Sequence, residues 1–304
     1  MELWVPITVL AAFMQNARSG LQKHLKASLS TSGATFSRFV FAAPLAALYL
    51  GSLIAFAGYD LPGWTGSFVL FAMLGGLSQI AATALLVSIF SFRNFAVGTT
   101  FSKTETVQTA MFGLVILGER VSTGALVGIA VSLVGVVLIS LKPDEAADKR
   151  SPVQHLARWL DRAALTGMLS GAFFGISAVS YRAASLSLES GDFIIRAAMT
   201  LAFVTVFQTV VMAIVMRMRE PGQIRAVFAA WRVSSVVGLT GMLASALWFT
   251  AMTLQNAAYV RALGQVELVF TFAASRLVFG EQSTIRELVG IGLVTAGVLI
   301  LVFS

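Results

Sequence analysis

The sequence contains no cysteine and only two histidines. Without cysteine the chain can form neither a disulfide nor a thiolate metal site. Cysteine usage therefore does not indicate whether the protein is in an oxidising or a reducing compartment. His24 and His155 fall in different predicted loops and offer no metal-ligand cluster. A Walker A motif and a dinucleotide-binding glycine pattern are also missing, which argues against ATP-driven transport by this chain alone. We therefore expect neither an enzyme nor a cofactor.

Charged residues are scarce as well, at 12% of 304 residues, whereas 57% are hydrophobic and the mean hydropathy is +0.86. The apolar residues come in runs long enough to cross a bilayer, which is typical of a polytopic all-α membrane protein. The net charge of +7 fits lysine and arginine in cytoplasmic loops better than nucleic-acid binding.

Hydropathy predicts ten transmembrane helices, each of about 20 residues. They run over residues 3–22, 34–57, 66–91, 96–117, 122–141, 163–185, 192–216, 233–254, 258–279 and 284–303. A polar linker at residues 142–162 separates two blocks of five spans. The predicted domains are therefore residues 1–141 and 163–304.

About half of the sequence is repeated. Residues 76–140 align without a gap with residues 238–302, which superposes Glu105 on Glu267 and Thr109 on Thr271. Because five spans precede the second copy, that copy enters the membrane from the opposite side. The pattern predicts two inverted five-helix repeats, an arrangement typical of secondary transporters.

Lysine and arginine gather in the first, fifth and seventh connections between the predicted spans. Positive residues favour the cytoplasmic side of a membrane. These loops should therefore be cytoplasmic, with both termini outside.

Glu105 and Glu267 are predicted at membrane depth. Fourteen residues separate Glu105 from the turn at Glu119, which is about 21 Å of helix. An unpaired carboxylate at that depth costs several kcal/mol. Each glutamate should therefore face the interior of the helix bundle, with Thr109 or Thr271 one turn further on the same face and Ser102 beside Glu105.

Two interpretations of these glutamates are open. In the functional one they line a central cavity and bind an amino group or carry a proton. In the structural one they hold helices together through buried hydrogen bonds. Lys103, on the other side of its helix, could instead extend toward the cytoplasmic end. Glu119 and Glu281 sit at turns, where helix capping is the better explanation.

Other polar residues at membrane depth are also candidate cavity residues. Gln15 and Arg18 share one face of the first span, and Tyr181 lies on its counterpart in the second repeat. Arg18 could attract a carboxylate or phosphate inside a cavity, or reach the interface. Trp248 could form a wall of a small-molecule site or pack against lipid. For Arg38, early in the second span, anchoring at the interface is the default expectation.

The doubled pattern around the turn glutamates resembles the drug/metabolite transporter superfamily, and most closely its ten-helix EamA type. It consists of Gly118–Glu119, Leu126 to Ile129 and Gly135, repeated as Gly280–Glu281, Leu288 to Ile291 and Gly297. The resemblance implies a central cavity between the halves and export or exchange of amino acids, metabolites or drugs across a bacterial inner membrane. It also implies cytoplasmic termini, contrary to the loop charges.

Members of that superfamily typically carry a Glu-Pro pair in the fourth and ninth spans. Here the glutamates match as Glu105 and Glu267, but Thr106 and Leu268 replace the prolines. We therefore expect these two helices to lack the family's kink.

The sequence as a whole predicts a secondary transporter, an exporter or exchanger of small polar or zwitterionic metabolites such as amino acids. Its expected partners are a small-molecule substrate, membrane lipids and protons as a coupling ion, without nucleic acid, and the chain acts as a monomer or homodimer in the bacterial inner membrane. A lipid-carrier flippase or membrane-lipid-processing protein is the alternative, and would require a lateral opening lined by basic residues such as Arg18 and Arg38. A purely structural membrane subunit is a third possibility.

Overall fold

The computed structural model describes residues 2–25, 28–89, 100–140, 162–270, 272–273 and 284–304, and these residues form helices and no strands. The helices, in chain order, are α1 (Trp4–Leu25), α2 (Thr31–Ala57), α3 (Gly66–Ile89), α4 (Glu105–Leu117), α5 (Thr123–Ser140), α6 (Arg162–Leu186), α7 (Phe193–Arg219), α8 (Gln223–Ala229), α9 (Trp231–Leu254), α10 (Ala257–Leu263) and α11 (Ile285–Phe303).

Six helices in the described part of the chain are long and apolar enough to cross a membrane: α2, the Gly66–Leu86 part of α3, α6, α7, α9 and α11. The apolar part of α5, Thr123–Ile139, is shorter. Helix α1 has 22 residues, and its polar residues Gln15 and Arg18 lower its hydropathy. The all-helical membrane class is thus confirmed. Ten spans in two inverted repeats remain a prediction, as do the domain bounds.

Local capping chemistry fixes several helix ends. The Ser30 hydroxyl accepts a bond from the Gly33 amide at 3.1 Å at the start of α2, and the Asp192 carboxylate accepts two amide bonds at the start of α7. Gly58 and Gly118 end α2 and α4 at φ values of +73° and +67°, which only glycine adopts readily. The predicted turn before Glu119 is therefore found.

Contacts between loops define two opposite sides of the bundle. On one, the termini side, Ser122 lies against Ser304 and its amide donates to the Tyr259 hydroxyl at 3.1 Å. On the other, the Glu220 side, Ser30 and Ser32 donate to the Glu220 carboxylate at 2.6 and 2.7 Å. Both chain termini lie on the same side. Which side faces the cytoplasm stays a prediction.

Helices α5 and α11 cross in backbone contact at four glycines. A Cβ atom at Gly128 would lie 2.6 Å from the Gly297 carbonyl oxygen, and one at Gly135 would lie 2.5 Å from that of Gly290. Contacts closer than about 3 Å exclude any side chain, so glycine allows the close approach. The sequence repeat makes Gly128 equivalent to Gly290 and Gly135 equivalent to Gly297. The two contacts are therefore equivalent to each other. The helices run antiparallel at this crossing, as an inverted repeat requires.

The helices around the two glutamates are not regular α-helices throughout, and the expected lack of a kink stays a prediction. Lys103 and Thr104 form a turn before α4 begins at Glu105. At the equivalent place in the second half, α10 gives way to a 3-10 helix over Gly264–Val266, just before Glu267. Proline is therefore not needed for the break. The Thr104 hydroxyl bonds the Phe101 carbonyl at 2.6 Å, a local bond that competes with helix geometry.

Candidate functional site

A polar cavity of about 880 Å³ lies at the centre of the bundle. Its volume falls within the range of small-molecule sites. Helices α1, α2, α3, α6, α9 and α10 line it, together with the interrupted segments beside α4 and Glu267. Seven of the residues predicted from the sequence line it: Gln15, Arg18, Ser102, Glu105, Tyr181, Trp248 and Glu267.

Glu105 forms an ion pair with Arg261 at 3.1 Å, and both side chains are largely buried. The Arg261 guanidinium also lies over the rings of Trp248 and Phe174, at 5.3 and 5.8 Å. A cation over an aromatic face is stabilised by the ring quadrupole. Arg261 is thereby fixed in direction, and it brings one positive charge from α10 to the wall of the cavity.

Glu267 forms an ion pair with Lys103. It also accepts a hydrogen bond from the Gln15 amide at 2.8 Å, and the Gln15 carbonyl oxygen accepts one from the Trp248 indole at 3.1 Å. The expectation that Lys103 extends toward the helix end is therefore wrong. The chain of contacts holds α1 and α9 against the two interrupted segments.

Both ion pairs join the first half of the chain to the second. Lys103 and Glu105 lie in the first repeat, and each is bonded to a residue of the second, Glu267 or Arg261. Burial of a carboxylate at membrane depth requires such a partner. These contacts agree with the structural interpretation of the glutamates. A role in binding an amino group or carrying a proton stays a prediction.

Arg18 and Arg38 lie side by side against α9. A Cβ atom at Gly241 would lie 3.2 Å from Arg38 Cγ and 3.4 Å from Arg18 Cδ, so the absence of a side chain there leaves room for both. Each arginine is only 8% exposed and lines the cavity. Arg38 donates to the Ser245 hydroxyl at 3.4 Å. The expectation that Arg38 anchors at the interface is wrong, and Arg18 takes the cavity position.

Tyr181, which also lines the cavity, belongs to a buried hydrogen-bond network. Its hydroxyl donates to the Gln79 side-chain carbonyl at 3.2 Å and accepts from the Gln208 amide at 3.3 Å. Its ring stacks on Phe249 with centroids 4.4 Å apart. The network holds α3, α6, α7 and α9 in register and leaves the aromatic face of Tyr181 beside the cavity.

Of the two predicted threonines, Thr109 is described by the structure and does not contribute to this site. Thr109 is fully buried, donates to the Glu105 carbonyl oxygen at 2.6 Å and packs against Gly175. It faces α6 and does not line the cavity. Thr271 lies outside the described residues. Ser102, by contrast, lines the cavity and is 6% exposed.

Arg182 forms a cluster on the termini side. It bonds Glu119 at 2.7 Å and donates to the carbonyl oxygens of Met252 and Gln255 at the end of α9, each at 2.7 Å. The prediction that Glu119 caps a helix is therefore wrong, because its carboxylate pairs with an arginine that does the capping. Glu281, its predicted equivalent, lies outside the described residues.

Sequence reasoning missed Arg261 and Gln79 as cavity residues. Gln79 lies well inside the predicted span 66–91, and that position was the available signal, since polar residues at membrane depth are rare and usually face the interior. Arg261 lies near the start of the predicted span 258–279, where an arginine would ordinarily be expected at the interface. Among the described residues, no group of three histidine, aspartate or glutamate side chains could hold a metal ion.

The apolar helices, together with the following family match, indicate a multi-pass membrane transporter. Residues 161–303, which cover most of the second predicted repeat, match the model of the EamA-like transporter family. This match confirms the resemblance to the drug/metabolite transporter superfamily.

The structure also resembles solved ones, 29 chains in all. One crystal structure of a protein superposes with a TM-score of 0.69 and 12% sequence identity, covering 99% of this chain and 97% of the other. At that identity the likeness concerns the fold alone. Comparison with curated protein sequences gives no match.

Proposed function

We propose that the protein is a secondary transporter that exports or exchanges small polar or zwitterionic metabolites, such as amino acids, by alternating access around the central cavity. The observation that supports this most directly is the cavity itself, which is large, charged and walled by both halves of the chain. Such sites between the halves of a transporter serve substrates that must leave water on one side and return to it on the other.

We infer that the cavity opens toward the Glu220 side in this conformation. The lining extends to Gln22 and Thr31, near the ends of α1 and α2 on that side. On the termini side, Arg182 ties Glu119 to the end of α9. Opening toward the termini side would require these contacts to break while the Glu220 side closes.

A flippase for a lipid carrier is the second candidate, because the cavity wall is rich in basic side chains. Lipid analysis of a deletion strain separates the two functions. Deletion of a transporter of soluble metabolites leaves the lipid composition unchanged, whereas deletion of a flippase causes its lipid-linked substrate to accumulate.

Transport in proteoliposomes tests the proposal. Amino acids, organic acids, bases and amphiphiles should be supplied with and without a pH gradient. The test variant is Ser19→Trp, at an exposed serine that lines the cavity. The control variant is Ser52→Trp, at an exposed serine of α2 outside the cavity lining. Movement of at least one compound, lost in Ser19→Trp and kept in Ser52→Trp, supports the proposal. If nothing in the panel moves under either condition, the proposal fails.

A further inference from the structure

Arg18 carries a buried charge that makes no direct ion pair with a carboxylate among the described residues. Its side chain is 8% exposed, its Nε atom has no hydrogen-bond partner, and it enters none of the ion pairs formed within the described residues. Burying a cation without a partner is unfavourable, and an anion bound beside it removes that cost. The arrangement is that of a site prepared for a negatively charged group.

The two carboxylates in the cavity wall are already occupied. Glu105 is bonded to Arg261, and Glu267 to Lys103 and Gln15. The described lining residues therefore comprise four cations, Arg18, Arg38, Lys103 and Arg261, and only two carboxylates. The charge in excess is positive, and it lies at Arg18 and Arg38.

We propose that the substrate is a small organic anion whose carboxylate or phosphate group binds between Arg18 and Arg38. This inference rests on the proposed transport function of the cavity, and it narrows the substrate class to compounds that carry an oxyanion. Arginine suits such a group because its planar guanidinium can donate two parallel hydrogen bonds to a carboxylate or phosphate. Gly241 leaves room for the two arginines beside each other, since a side chain there would press on both.

The rest of the cavity suits the remainder of such a molecule. Trp248, Phe249 and Phe174 present aromatic surface, and Gln79 and Ser177 add polar groups. A volume of about 880 Å³ lies within the range of small-molecule sites, and we therefore commit to a free anion, with a lipid headgroup as the outcome that the test distinguishes.

Binding and transport should be measured separately with the same probes on purified full-length protein. The probes are inorganic phosphate, glycerol 3-phosphate, succinate, alanine and putrescine, and binding is read from thermal stabilisation and from the intrinsic tryptophan fluorescence. The variants are Arg18→Gln, Arg18→Lys and Arg38→Gln, with Arg225→Gln as the control because Arg225 is exposed on α8. Nanodiscs of phosphatidylcholine, with and without phosphatidic acid, distinguish a soluble anion from a lipid headgroup.

The expected result is that glycerol 3-phosphate or succinate binds in pure phosphatidylcholine. Its affinity should fall at least about tenfold in Arg18→Gln and in Arg38→Gln, less in Arg18→Lys, and not in Arg225→Gln. Ligand-free Arg18→Gln should melt no lower than the wild type, because the variant loses an uncompensated charge. This melting temperature also shows that the variant folds.

Three results would overturn the inference or separate it from the transport function. Transport of alanine or putrescine only, unaffected by the Arg18 and Arg38 variants, would support the proposed transport function and overturn the proposed anion site. Arginine-dependent binding of an anion without transport of any probe would support the proposed anion site and count against the proposed transport function. Stabilisation by phosphatidic acid alone would overturn the soluble substrate and favour the lipid headgroup.

Discussion

Lys103 and Glu267 form an ion pair across the two halves of the chain, at the wall of the cavity. Arg261 and Glu105 form the reciprocal pair, in which the cation comes from the second half. Each glutamate of the sequence repeat is thus neutralised by the opposite repeat. Glutamates that appear equivalent in the sequence are therefore held by different partners.

Loss of the Lys103 charge should destabilise the protein. Lys103→Gln leaves the largely buried Glu267 carboxylate without its cation, which costs about 3 kcal/mol. Chemical denaturation in mixed micelles measures the change. In a double-mutant cycle, Lys103→Gln with Glu267→Gln should cost less than the two single changes together. Additive losses would show that the pair contributes no coupling.

The glutamates are also the candidates for proton coupling. If Glu105 or Glu267 carries a proton, its change to glutamine should abolish accumulation driven by a pH gradient while exchange stays measurable. Uptake into proteoliposomes, with Asp60→Asn in an exposed loop as control, provides the measurement. Wild-type accumulation in both variants would remove these residues from the coupling step.

The crossing of α5 and α11 should be sensitive to a single methyl group. Gly297→Ala would place a Cβ 2.5 Å from the Gly128 carbonyl oxygen, and such overpacking costs about 1–3 kcal/mol. Gly292→Ala on the same helix meets nothing within 4 Å, so it should be neutral or slightly stabilising. The melting temperatures of the two variants make the comparison, and equal values would argue against a tight crossing.

Arg182→Gln should loosen the termini side. The variant loses the bonds to Glu119 and to the end of α9, so access to the cavity from that side should increase. Because the chain has no cysteine, Ser177→Cys in the cavity wall gives a single reactive thiol. Maleimide labelling of this thiol from each side of proteoliposomes should be faster from the Glu220 side, and Arg182→Gln should increase labelling from the termini side several-fold. An unchanged ratio would mean that Arg182 does not close that side.

Much of the helical architecture follows from the sequence, because long apolar runs and glycine turns determine where helices begin and end. The seven cavity residues found in advance were identified because polar groups are costly at membrane depth. Partners were not predictable in the same way. A helical wheel shows what shares a face with Glu105, but only the packing of α10 brings Arg261 to it.

The helix interruptions illustrate a second limit. The absence of proline after Glu105 and Glu267 predicted helices without a kink, yet a turn interrupts the first span and a 3-10 segment lies within the second. The first break lies where α6 passes closest, since a Cβ at Gly171 would lie 2.8 Å from the Ser102 carbonyl oxygen. Tertiary contacts of this kind override local propensity, and they leave no proline signature to read.

The backbone contact between Gly128 and Gly297 also restricts how the two halves can move. Two helices that touch through their main chains cannot slide past each other without steric overlap, but they can rotate about the point where they meet. The glycine crossing would then serve as a fulcrum. Tilting about it would widen one mouth of the cavity as it narrows the other.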